Sequence, residues 1–345
     1  MHGKNTRLGK IGFLFSLPSI VFFCLFVSIP VFFTIFLSFA GWKGFDITQI
    51  RVVGLKNYGM IFTDRIFWLS FLHTSIFVAL TTVFLNLFGF IGALIIDTKV
   101  EGTRFLKNAV FLPVLLSPII IGIMWSRMLD AFGVVNKIML ALHLTALPIL
   151  FLGSKDLALY TIIIATIWQY TGYDMLLYYA GLQGVPNELI EAARIDGASG
   201  FRVVRSVIIP VLSPVAAVTT LLNIIGGYKI FDVVYVMTKG GPNHHTEVFA
   251  TYLFLQAFRF NDMGAASVIA IVIVLLSLIA SVVRMRISRR APPWTRECAR
   301  SIDLGRKSKK PTTATSATAT VWPAAPAIHA LAVAVTDATS APSAT

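Results

Sequence analysis

The residues equipped for chemistry are few, and most stand in apolar surroundings. His244-His245-x-Glu247 puts two histidines and a carboxylate within one short stretch. That spacing alone specifies no coordination geometry, so it reads as a solvated polar loop and no metal site is predicted. His73, alone in an apolar run, reads as a hydrogen-bonding contact between helices. Thr166, Tyr170, Tyr173 and Asp174 fall at i, i+4, i+7 and i+8, one face of a helix. Asn223, Gly226 and Gly227 cluster late in another apolar run. Polar groups inside apolar runs are costly and often functional. Interfacial tyrosine belts and helix contacts use the same residue types. No His/Asp/Glu constellation ends an apolar run, as an enzyme would require. No G-x-x-x-x-G-K-[ST] phosphate loop occurs either. The chain is therefore not expected to be an enzyme, to hold a cofactor, or to bind ATP by that device.

The elements that carry these residues follow from composition. Of 345 residues, 56% are hydrophobic and only 13% are charged, and the mean hydropathy is +0.79. Soluble domains carry about 25% charged residues, and disorder needs low hydrophobicity, so both classes are excluded. Cys24 and Cys298 give no disulfide framework. A membrane helix needs about 20 apolar residues. Runs free of charge predict six, near 12–39, 69–96, 108–126, 157–180, 207–226 and 264–283. They do not alternate as barrel strands would. The first is about twice as long as the roughly 7–15 residues of a signal-peptide core, which argues against cleavage after Ala40. The predicted class is an all-α integral membrane protein with six transmembrane helices.

An even number of spans puts both termini on one side. That side holds more Lys and Arg, chiefly through the tail from Arg284, so it is taken as cytoplasmic. The formal charge of +13 therefore concentrates outside the spans and implies no nucleic-acid partner. Residues 1–10 are a short cytoplasmic start and 11–290 the membrane domain. Residues 291–345, rich in Ala, Thr, Ser and Pro, form a low-complexity tail. Its basic beginning could bind anionic lipid.

Between the fourth and fifth runs lies the densest signal, 186–199, leading on to Pro210 and Pro214. Pro186 suits a first helical turn, and Glu188 and Glu191 suit the positive end of the dipole. Leu189, Ala192 and Ala193 fall near one face, and Gly197 permits a left-handed stop. A short amphipathic helix, a turn and a second helix from near Ser199 are predicted. The plainer reading of periodicity alone is an ordinary interfacial helix.

The residues Glu191-Ala192-Ala193-x-x-Asp196-Gly197-Ala198, followed by Pro210 and Pro214, resemble the EAA loop of binding-protein-dependent ABC importer permeases. That family often has Phe where this chain has Val204. Gly54-Leu55-Lys56-Asn57-Tyr58, Gly133 with Asn136, Ala180-Gly181-Leu182-Gln183, Phe231-Asp232 and Thr238-Lys239-Gly240-Gly241-Pro242 resemble motifs of its sugar branch, the maltose- and glycerol-phosphate-type permeases. The resemblance spans about 12–285. It implies a type I ABC importer permease fold in a bacterial or archaeal inner membrane. It also implies a second permease subunit, a cytoplasmic ABC ATPase dimer and an extracytoplasmic solute-binding protein as partners. Loop 186–214 would couple to the ATPase through Glu188, Glu191, Ala192, Ala193, Asp196, Gly197 and Ala198. Thr166, Tyr170, Tyr173, Asn223, Gly226 and Gly227 would line the path of a sugar. A glycerol-phosphate or other polyol-type cargo is the alternative. A secondary transporter would need inverted repeats and a mid-membrane carboxylate cluster, and Asp174 is the one carboxylate there.

Overall fold

Proline placement decides where the long apolar runs stay straight. The computed structural model describes residues 16–288, apart from 45, 47, 49 and 99–101. The expected segments 1–10 and 291–345 lie outside the described residues. Helix α1, Ser16–Ser38, contains a π turn at Cys24–Ser28, just before Pro30. The wider turn, closed by Ile29 N–H donating to the Cys24 carbonyl, makes room for a ring that would clash with an α-helical carbonyl. The strands β1 (Ala40–Gly41) and β2 (Arg51–Val52) then pair antiparallel. A short α2, Lys56–Thr63, leads to α3, Arg65–Asp97, whose N-terminus is capped by Asp64 accepting from Ile66 N–H at 2.8 Å.

The third predicted span is not one straight helix. Helix α4, Thr103–Phe111, runs through a 3₁₀ turn, Leu112–Leu115, and breaks before α5, Pro118–Met128. The two halves meet at 100°. Ser117 precedes Pro118, which drives it out of helical geometry, and its hydroxyl caps Ile119 N–H at 3.3 Å. The buried amide of Gln169 reaches across to donate to the Leu116 carbonyl exposed by the break, at 3.2 Å. After α6, Val134–Ala141, comes α7, Ala158–Leu182, then α8, Asn187–Ile195. The fifth predicted span is also bent. Helix α9, Gly200–Val211, and α10, Ser213–Tyr228, meet at 67° beside Pro210 and Pro214, and α9 carries a π turn at Val204–Ile208 two residues before Pro210. Two short helices, α11 (Asp232–Met237) and α12 (Phe249–Phe254), precede the last, α13 (Met263–Ser288).

By length and composition, α1, α3 and α13 qualify as membrane spans among the described residues, and counting each bent pair as one span makes five. Helix α7, expected as the fourth span, does not qualify, because Gln169, Asp174 and its hydroxyl-bearing residues dilute its apolar content. Its burial explains the tolerance. Residues from Ala158 to Leu182 on several faces are buried by protein, against α3 above all. Gly89 of α3 lets the two backbones close on one another: a Cβ there would stand 2.6 Å from Asp174 Cβ.

Three apolar cores result. Phe77 and Leu85 of α3 pack with Ile162 and Ile163 of α7 and Val233, Val234 and Met237 of α11. Ile61, Phe67, Phe249, Tyr252, Val268 and Ile269 join α2, α3, α12 and α13. Ala93, Tyr178, Leu182, Val203, Ile208 and Leu212 form a third core beside α8.

Candidate functional site

Helix α8 ends at Ile195 as its pattern predicts, but it starts at Asn187, and Pro186, expected in the first turn, is the extended residue before it (ψ 129°). Gly197 has φ +80°, and its N–H and that of Ala198 donate to the carbonyls of Arg194 (3.0 Å) and Ala193 (2.9 Å). These bonds close the helix and send the chain into α9. No residue of α8 is fully buried. Ile190, Ala193 and Ala198 lean on the third core. Glu188, Glu191, Asp196 and Gly197 are exposed. Ala192 is exposed as well, rather than inward with Leu189 and Ala193, because the helix turns Ile190 to the core in its place. Beside it, Ile195 is 86% and Phe201 78% exposed.

The second constellation lies where α3, α7 and α10 meet. Asp174 is 0% exposed, and its Oδ2 accepts from Asn223 Nδ2 at 2.6 Å. One turn along α7, Tyr178 donates to Asn86 Oδ1 at 2.8 Å, and Thr219 of α10 donates to the same oxygen at 2.8 Å. Thr220 adds a longer contact at 3.3 Å. The Asn86 amide NH₂ donates to the Thr82 carbonyl at 2.7 Å. One side chain thus ties three helices. Sequence reasoning missed Asn86, although an amide midway through the charge-free run from Arg65 to Asp97 is a visible cost.

The expected lining divides. Tyr173 is 41% exposed, Asn223 and Tyr170 are partly buried, and nothing lies within 4 Å of where a Gly226 Cβ would stand. Thr166 and Gly227 do not face open space. The Thr166 hydroxyl is buried and donates to its own helix at Ile162 O, 2.8 Å away. A Cβ on Gly227 would stand 2.9 Å from Val78 Cγ2, so that glycine serves the approach of α10 to α3.

The family model for binding-protein-dependent transport system inner membrane components matches residues 104–296. The chain belongs to this family. It is a membrane permease subunit of an ABC transporter, not itself an enzyme. It is 33% identical over 290 residues to the trehalose/maltose transport system permease protein MalF of Thermococcus litoralis, covering 82% of this chain and 95% of that protein. It is 30% identical over 282 residues to the lactose transport system permease protein LacF of Rhizobium radiobacter, covering 81% and 94%. Among solved structures, a bacterial ABC transporter involved in the import of the acidic polysaccharide alginate has a chain of the same fold. Its TM-score is 0.73 at 20% identity, covering 83% of this chain and 98% of that one.

Several motif residues of this permease clamp neighbouring segments together. Asn57 Nδ2 donates to the carbonyls of Ser38 (3.0 Å) and Ala40 (2.9 Å) at the end of α1. Gln183 Nε2 donates to Asp97 at 2.8 Å, fastening the ends of α7 and α3 together. His73 Nδ1 meets the Glu247 carbonyl at 3.1 Å, and His244 Nδ1 lies 2.7 Å from the Glu247 carboxylate. No group of three metal-ligating side chains occurs among the described residues. Burial, and then the Asp64 carboxylate that accepts from it, push the Tyr252 phenol above its usual range. Asn136 is fully buried. It donates to the carbonyls of Asp130 and Ile149 at 3.0 Å and accepts from Ile149 N–H at 2.8 Å. Asn136→Ala should cost roughly 2–4 kcal/mol, because these buried groups lose their partners. Thermal melting of the purified subunit measures it, and an unchanged midpoint would exclude the clamp.

Proposed function

We propose that this permease moves a sugar, delivered by an extracytoplasmic binding protein, by alternating access driven by an ATPase dimer seated on α8. It works beside a second permease subunit. The polar central helix α7 is counted as a span with α1, α3, α13 and the two bent pairs, which gives six and places both termini in the cytoplasm. The observation that carries the coupling role is the outward face of α8. Two acids, Glu188 and Glu191, and the small Ala192 stand exposed beside Ile195 and Phe201, while a glycine in the left-handed region aims the chain into α9. Small side chains permit close docking, and exposed apolar ones supply the anchors such interfaces use. The cargo reading is supported by the named substrates of the relatives, trehalose/maltose and lactose. It is also supported by the exposure of Tyr173 on α7 and of Gly226 on α10, with Tyr170 and Asn223 partly exposed.

Uptake of radiolabelled maltose, trehalose and lactose by the complex reconstituted with its ATPase and binding protein tests the cargo. Ala192→Trp tests the docking face. It should lower uptake and binding-protein-stimulated ATP hydrolysis at least tenfold, the equivalent of about 1.4 kcal/mol, with the subunit still folded. Wild-type rates in that variant would remove α8 as the docking element.

A further inference from the structure

We propose that Asp174 is a positioning residue. It holds the Asn223 amide so that its carbonyl oxygen turns outward and α10 presents an acceptor to the hydroxyl groups of the cargo. The assignment rests on the sugar reading above. A carboxylate offers acceptors only, whereas an amide has one donor edge and one acceptor edge. With Asp174 ionised, only the NH₂ edge of Asn223 can face its Oδ2, which lies 2.6 Å away. Turning the amide over would bring two oxygens into contact. Oδ1 of Asn223 must therefore point away from α7.

The surroundings fit that orientation. Asp174 has no freedom to follow a moving amide, since it is fully buried with its Cβ against Gly89 of α3. Its other oxygen, Oδ1, is buried without a hydrogen-bond partner. Asn223 itself is only partly buried, and Gly226, on the same face of α10, borders open space. An outward carbonyl beside an open glycine favours a ligand that donates hydrogen bonds, as a sugar hydroxyl does. It disfavours one that only accepts.

Uptake of maltose, trehalose and lactose by the reconstituted complex, expressed per assembled complex, tests the assignment. Asp174→Asn keeps the size but lets residue 223 turn either way. Maximal uptake should fall about tenfold, while the melting midpoint and the half-saturating concentration of binding protein stay put. The exchange Asp174→Asn with Asn223→Asp reverses donor and acceptor and again leaves an oxygen outward. It should restore uptake to within about threefold of wild type, by the logic of a double-mutant cycle. The assignment is overturned by wild-type uptake in Asp174→Asn, by a loss that tracks a lowered melting midpoint, or by failure of the exchange to recover. Should the unmodified complex take up none of the three sugars, the cargo reading falls, and this assignment with it.

Discussion

Gly89→Leu should yield no recoverable folded subunit, and Gly89→Ala should melt at a lower temperature than wild type. Even the single Cβ of alanine would stand 2.6 Å from Asp174 Cβ and 3.0 Å from the Asp174 carbonyl carbon and the Met175 nitrogen. Backbone atoms of a buried helix cannot swing aside as a side-chain tip can. Overpacking of this kind costs about 1–3 kcal/mol. The opposing gain from replacing a helical glycine is about 1 kcal/mol, so the clash wins. Gly92, one turn on, meets Sδ of Met175 at 3.0 Å. That thioether is flexible, so Gly92→Ala should be milder and serves as the control. A Gly89→Ala protein that melts at or above the wild-type midpoint would show that α3 and α7 do not cross this closely.

Gly197→Val should insert and fold but lose at least tenfold in coupled transport. Space is not the obstacle, since nothing lies within 4 Å of the new Cβ. The obstacle is φ +80°, which costs an L-residue roughly 1–2 kcal/mol and a β-branched one more. Because the position is exposed, global stability has little to lose. The cost falls on the turn that joins α8 to α9. Gly197→Asn should retain most of the transport, since asparagine tolerates this conformation. Uptake assays with membrane levels measured in parallel decide the matter, and normal transport by Gly197→Val would end the coupling role.

Local features were legible in the sequence because their causes are local. Pro186, the early acids and Gly197 mark α8 and its stop within a few residues, and the motif around Glu191 to Ala198 points to the family to which the chain belongs. Proline also marks where two spans break, but the 100° and 67° bends depend on what the halves pack against. Helical spacing put Thr166, Tyr170, Tyr173 and Asp174 on one face, yet it could not tell that Thr166 is spent on its own helix while Tyr173 stays open.

Periodicity defines faces relative to a helix's own axis. The neighbour that each face meets is set by contacts between residues far apart in the chain. Sequence by itself therefore determined a helical membrane permease of this family with a short helix and a glycine stop at 186–199. Only the tertiary structure decided that Asn86 ties α3, α7 and α10, that Asp174 holds Asn223, and that Gly227 packs while Gly226 stays open. Each of those outcomes depends on how closely the three helices approach, and that is a property of the packed bundle rather than of any one segment.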